Sequence, residues 1–326
     1  MKRILILTVG AVLAAVALFV FAERKLPAGP TPSWVLDVPV GATWDDIYEQ
    51  ADEHVSKWVI ATWQWHANDG GPKAGHYIFR SKESALGMYR RLALGYEDPI
   101  RVTIRGYQSH DQAIGQIASY FPLDSSELHA AFAAQPEVWI LPNTYHMYQS
   151  ASAEKIVERM QFEWDMFWTD QRQSQASGLG LTPKEVVVLS SIVQAESKQA
   201  DEQRRVAAVY LARLQKDWTL DADPTLVYAV LDLGLAEPPI KRVLNWMKRV
   251  DHPYNTYANQ GLPPGPLATV DGPVIDKVLA SSPGEEMFFC ADPNRPGYHL
   301  FAKSYVRHQI NSARYHAWLN RQGIRR

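Results

Sequence analysis

Apolar and polar positions follow two rhythms along this chain. In the N-terminal third, "WVLDVPV", "GHYIF" and "RVTIR" are short strand-like runs. Each is followed by a helical pattern: "TWDDIYEQADEH", "SKESALGMYRRLALG" and "SHDQAIGQIASYF". Thr43 and Asp46 have capping-box spacing, and the second helical pattern has a serine start and a glycine stop. A Ser or Thr ahead of a helix offers an acceptor to its free N–H groups. Strand, cap and helix recurring from Trp34 to about Phe121 predict small α+β modules. Further on, Ile156, Met160, Trp164, Phe167 and Trp168 recur at helical spacing, which predicts one long packed helix over residues 150–176.

The clearest helix begins at "LTPKEVVVLSSIVQAES". Thr182 is its cap, Pro183 fits the first turn, and Glu185 completes a capping box. At ~100° per residue, Val186, Leu189, Ile192, Val193 and Glu196 share one side. A carboxylate therefore leaves the helix on its apolar side, near its C-terminal end. A second helix, "DEQRRVAAVYLARLQK", follows at once, with Val206, Val209, Tyr210, Arg213 and Leu214 as its inner stripe. The short join predicts antiparallel neighbours with Glu196 at the corner, facing a cleft. Burial disfavours the charged form of such a group and raises its pKa, which suits a general acid. A structural bridge to Arg204 or Arg213 accounts for the same pattern equally well.

Before these elements, Lys2 and Arg3 precede an uncharged run from Ile4 to Ala22. Its length approaches the ~20 residues that cross a bilayer. It exceeds a signal-peptide core, so an uncleaved anchor is expected, with the N-terminus cytoplasmic and the rest exported. "ERKLPAGPTPS" reads as a short, stiff spacer. A net charge of −2 excludes a general nucleic-acid binder. The lone cysteine, Cys290, excludes an internal disulfide and fits a small buried hydrophobe.

Two later stretches offer a wall for a cleft. "LDADPTLVYAV" places Asp221 and Asp223 ahead of Pro224 and Thr225. "HPYNTYANQGLPPGPLATV" is stiffened by Pro263, Pro264 and Pro266 and carries Tyr254, Asn255, Thr256 and Tyr257. Such a loop either binds a polar ligand or simply packs. Trp58, Trp63 and Trp65 are expected to form a core or interface cluster, with a sugar-stacking platform as the alternative. His299 and His308 have no metal-ligand spacing.

"SIVQAESKQADEQRRVAAVYLARL", "DADPTLVYAV", "PYNTYANQGLPPGPLA" and "GYHLFAKSYVRHQINSARYHAWL" occur in an order that resembles the endolytic murein transglycosylases, the MltG or YceG-like family. "LPNTYHMY" and "AGHYIFRSKESALGMYRRLALG" match its layout more loosely. The resemblance implies an α+β chain with a single N-terminal transmembrane helix (4–22, after a cytoplasmic 1–3), a linker (23–33), a LysM-like module (34–98), a second α+β segment with the bridging helix (99–180), and a catalytic domain (181–326). It implies cleavage of nascent peptidoglycan strands between MurNAc and GlcNAc at the plasma membrane, with 1,6-anhydro ends, limiting strand length. Glu196 would be the catalytic acid. Asp223, Thr225, Tyr254, Asn255, Thr256 and Gly265 would line the groove. No metal or cofactor is implied, and the expected partners are glycan strands, the membrane and peptidoglycan synthases. This sequence departs from the family at Gln194, where an acid is common, at Arg105-Gly106 and at Asn143. Gln194 faces away from Glu196 on the helix. A two-carboxylate muramidase using Asp223 and a non-catalytic glycan-binding scaffold are the alternatives.

Overall fold

The computed structural model describes residues 2–67, 70–106, 109–136, 138–240 and 242–323, with side chains from Thr8 onward. The chain divides into two compact units whose limits interleave. The first holds the chain to Val102 with Ile117–Leu128 and Thr144–Lys155. The second holds Thr103–Gln116, His129–Asn143 and everything from Ile156.

In the first unit, β1 (Trp34–Val38) pairs antiparallel with β2 (Gly75–Phe79), Trp34 opposite Phe79 and Val38 opposite Gly75. The period-2 pattern sends Trp34, Leu36, Val38, Tyr77 and Phe79 into one core. Helices α2 (Trp44–Ala51), α3 (Lys57–His66) and α4 (Ala85–Leu94) cover it. The Thr43–Asp46 capping box forms as read. Ser84 caps α4, and Gly95 ends it at φ 78°, a left-handed stop that glycine takes without a Cβ clash. β3 (Ile100–Thr103) pairs with β4 (Thr144–Met147).

The N-terminal helix α1 (Lys2–Lys25) runs past the end of the apolar stretch. Glu23 is buried, its Oε2 3.1 Å from Nε2 of His66, so packing against the first unit begins ahead of Trp34. Among the described residues no single helix is long and apolar enough to cross a membrane. The three tryptophans do not form one cluster. Trp63 is fully buried with Nε1 donating to the Ala85 carbonyl at 3.0 Å, Trp58 is half-buried, and Trp65 is 80% exposed. They share no face for stacking a sugar.

The second unit is built around a helix hub. After α5 (His110–Ala118) and α6 (Ser125–Ala133), which the division between the units splits, come α7 (Ala153–Phe167) and α8 (Asp170–Gly178). The sequence predicts a single helix here; the structure breaks it. Thr169 takes extended backbone and accepts from the Arg172 N–H as a new cap, and Arg172 donates to the Phe167 carbonyl at 2.7 Å, closing off the first helix. The break also lets Trp168 turn into the core.

Helix α9 (Pro183–Glu196) starts with the predicted Thr182–Glu185 capping box. It is buried on all sides from Val186 to Val193, not along one stripe. The reason is its place between α8, α10 (Gln203–Gln215), α11 (Asp223–Asp232) and α12 (Gly272–Leu279). Its two buried serines remain satisfied, Ser190 donating to the Val186 carbonyl and Ser191 to that of Val188, both at 2.7 Å. The chain closes with an antiparallel hairpin, β5 (Phe288–Ala291) and β6 (His299–Ala302), and α13 (Tyr305–Arg321).

Candidate active site

Helix phase brings Glu196 to the last turn of α9, and α10 supplies its partner. The Tyr210 hydroxyl donates to Glu196 Oε1 at 2.6 Å. Asp223 is the first residue of α11, where a negative charge suits the helix N-terminus. The Tyr257 hydroxyl donates to Asp223 Oδ1, also at 2.6 Å. Two carboxyls of the site are thus each fixed by one phenol. Both line the same space: two cavities of about 530 and 750 Å³ share Glu196, Asp223, Arg242, Val243, Tyr315 and His316.

The two possible arginine bridges do not form. Arg204 donates to the Ala280 carbonyl at 2.6 Å. Arg213 is buried and donates to the carbonyls of Met287 (2.9 Å) and Leu220 (2.5 Å), with Asp221 Oδ2 3.7 Å away. Asp221 sits at φ 47°, a left-handed conformation that aspartate tolerates better than most residues. Its N–H reaches the Thr256 carbonyl at 3.2 Å.

Glu196 is half-buried, and its carboxyl lies deep in the wall of the cleft. That burial is the main push on its pKa, which rises to about 8; the Asp223 charge pushes the same way, while the Tyr210 hydrogen bond and the Arg213 charge pull down. Burial, reinforced by Glu196, holds the Tyr210 phenol well above its ordinary value, so it stays a donor. Burial and Asp223 do the same for Tyr257. A carboxylic acid still protonated near neutrality, at the edge of an open cleft, can hand a proton to a bound leaving group.

The other residues proposed from the sequence fall into two sets. Thr225, Asn255 and Thr256 are fully buried and bond within the protein. Thr225 Oγ1 lies 2.7 Å from Thr256 Oγ1, which accepts from the Ala222 N–H at 3.1 Å. Asn255 donates to the carbonyls of Lys248 and Val250 and accepts from the Tyr257 N–H at 3.0 Å. These three shape the loop that presents Tyr257 to Asp223. Tyr254 is half-buried, stacked on Tyr228 at 4.4 Å, and burial pushes its phenol up to about 12. Gly265 is set by that ring, since a Cβ there would come 2.8 Å from the Tyr254 hydroxyl.

Gln194 lies outside this network, as its helix phase predicts. It donates to the Thr269 carbonyl at 3.1 Å and accepts from the Asp271 N–H at 2.9 Å, tying the proline-rich loop to α9. Ser191 adds a third tie by accepting from the Leu267 N–H. Only its place on the inner stripe of α10 marks Tyr210 in the sequence; its bond to Glu196 is a product of the fold. Tyr228, Tyr315 and His316 line the cleft from within stretches that carry the family resemblance, though nothing in their pattern singled them out, and Arg242 lines it from outside those stretches. Cys290 is half-buried, and burial pushes its thiol up to about 11. Among the described residues no group of three or more His, Cys, Asp or Glu side chains is placed to hold a metal ion.

A helical hub with a shielded acid at its rim, a proline-rich loop across it and a terminal hairpin define an α+β cleft protein. A 2.6 Å crystal structure of a yceG-like protein from Listeria monocytogenes has the same fold, with a TM-score of 0.53 at 22% identity over 85% of this chain and 98% of that one. The sequence model of the YceG-like family matches residues 36–314, and the chain belongs to that family. It is 28% identical over 286 residues to the endolytic murein transglycosylase of Streptococcus pneumoniae serotype 2 (strain D39 / NCTC 7466), covering 74% of this chain and 50% of that protein. It is 27% identical over 180 residues to the protein of that name from Bacillus subtilis (strain 168), covering 55% and 48%. The chain spans about half the length of the curated relatives it matches.

Proposed function

We propose that this protein is an endolytic peptidoglycan lytic transglycosylase in which Glu196 is the acid and then the base. The observation that carries this reading is the Glu196 carboxyl, lifted to about 8, held by Tyr210 and open to a cleft. The names of the relatives supply the substrate class. Protonated Glu196 donates to the oxygen bridging MurNAc and GlcNAc, and the bond from that oxygen to the MurNAc anomeric carbon breaks. The resulting carboxylate takes the proton from the 6-hydroxyl of the same MurNAc as that oxygen bonds the anomeric carbon. The products are a 1,6-anhydro-MurNAc end and a new GlcNAc end, with Glu196 protonated again. Nucleophile and electrophile within one sugar give a high effective molarity, so no protein nucleophile is needed.

In this reading the uncharged run from Ile4 to Ala22 is the membrane anchor, Lys2 and Arg3 stay in the cytoplasm, and residues 34–98 are a LysM-like module on the extracytoplasmic side, near the synthases that make the strands. A second reading has one specific support. Asp223 shares the cleft and is fixed by Tyr257, as the second carboxylate of a hydrolytic muramidase would be. Mass spectrometry of glycan strands digested by wild type and Glu196→Gln separates the possibilities. Anhydro ends from wild type and none from the variant are expected. Reducing MurNAc ends would favour hydrolysis, and equal cutting by both proteins would remove Glu196 from the chemistry.

A further inference from the structure

A carboxylate–imidazole pair in the second unit is left unused by the proposed cut. Glu202 stands just before α10, 8% exposed, and His299 opens β6. Glu202 Oε1 accepts the His299 backbone N–H at 2.9 Å, and its Oε2 lies 3.0 Å from His299 Nδ1. A carboxylate only accepts, so this geometry puts a proton on Nδ1; in the neutral ring the lone pair then lies on Nε2. Among the described residues nothing in the protein is bonded to Nε2.

The ring lies among residues of the proposed chemistry. His299 meets Phe289 edge-on at 5.2 Å, and Phe289 meets Tyr210 edge-on at 5.7 Å. His299 lines the cavity of about 750 Å³ together with Glu196 and Tyr210. An acceptor on a ring that lines the same cavity as the acid suits an uncharged polar ligand rich in O–H and N–H groups.

We propose that His299 is a further substrate-contacting residue, whose Nε2 accepts a hydrogen bond from a hydroxyl or amide N–H of an N-acetylated glycan. Glu202 is its positioning residue, fixing the tautomer. This rests on the glycan-cleaving reading above. Its signature lies in Glu202→Gln. Glutamine offers one acceptor and one donor where His299 presents two donors. The ring then turns to the Nε2–H tautomer, and the cleft meets a donor instead of an acceptor.

The test uses the full chain in the Glu196→Gln background, so that peptide-free glycan strands bind without being cut. Titration calorimetry should show binding weakened about tenfold or more by His299→Ala and by Glu202→Gln, the loss expected for one buried hydrogen-bond partner. Imidazole ¹⁵N shifts should show Nδ1–H in the parent and Nε2–H in Glu202→Gln, a change that a merely structural role would not produce. An Nε2–H parent, or binding within twofold for Glu202→Gln, overturns the proposal. Failure of the cleavage reading shows separately, as equal cutting by wild type and Glu196→Gln, while the binding and tautomer comparison still decides His299.

Discussion

The Tyr210 hydroxyl is bonded to Glu196 Oε1 at 2.6 Å across the α9–α10 corner. The bond pulls the Glu196 pKa down against the push of burial. Tyr210 therefore does two opposed things. It fixes the carboxyl in the cleft, and it keeps the pKa from climbing further, which in the proposed mechanism keeps the carboxylate accessible for the base step.

Removing that hydroxyl has a signed consequence. The acid step needs protonated Glu196, so activity should fall as pH rises through about 8. Tyr210→Phe deletes a contact that lowers the pKa, so this alkaline limb should move to higher pH. The neutral-pH rate should also drop about tenfold as the acid loses its orientation. A pH profile of glycan cleavage by both proteins reads both effects, and an unmoved limb would show that Tyr210 has no electrical hold on the acid.

Asp223 acts in the other direction, since its charge raises the Glu196 pKa. Asp223→Asn should shift the alkaline limb to lower pH while anhydro products persist at a reduced rate. Complete loss of cleavage without a shift would instead support two carboxylates acting together.

Burial of Glu196 has a cost in stability. The folded chain holds a proton on Glu196 between about 4.5 and about 8, where the unfolded chain has released it. Stability from this group is therefore present at low pH and is lost as pH rises through that window. Glu196→Gln carries no such slope. It should be more stable than wild type by on the order of a few kcal/mol at the top of the window, with the difference vanishing below the ordinary glutamate pKa. Chemical denaturation across pH measures it, and parallel stability curves would refute it.

Thr225, Asn255 and Thr256 should reveal themselves through folding. Asn255→Ala leaves the Lys248 and Val250 carbonyls and the Tyr257 N–H without their partner, and Thr225→Val breaks the bond to Thr256. Each should cost about 1–3 kcal/mol. Asn255→Ala should also lower activity by releasing Tyr257 from Asp223. Thermal melts together with cleavage rates check this. Full activity with a lowered Tm in Asn255→Ala would place the loop outside the site's mechanics.

Much of this protein is local and was therefore legible along the chain. Caps at Thr43 and Thr182 satisfy N–H groups three residues away, and the inward aim of Glu196 follows from a helical period that needs no knowledge of the partner. The order of motifs pointed to the family in the same way. Tertiary structure alone decided the rest. Whether Glu196 met Arg213 or Tyr210 depended on how α10 packs, because both residues lie on its inner stripe within one turn. The resemblance implies Thr225, Asn255 and Thr256 as groove residues, yet all three side chains are fully buried: Thr225 and Thr256 meet across some thirty positions of chain, and Asn255 bonds within its own loop. The break at Thr169 answers to Trp168 entering a core assembled from distant helices. Hydrogen-bonding capacity is written in the residue type, but where it is spent is set by contacts between segments that sequence spacing does not order.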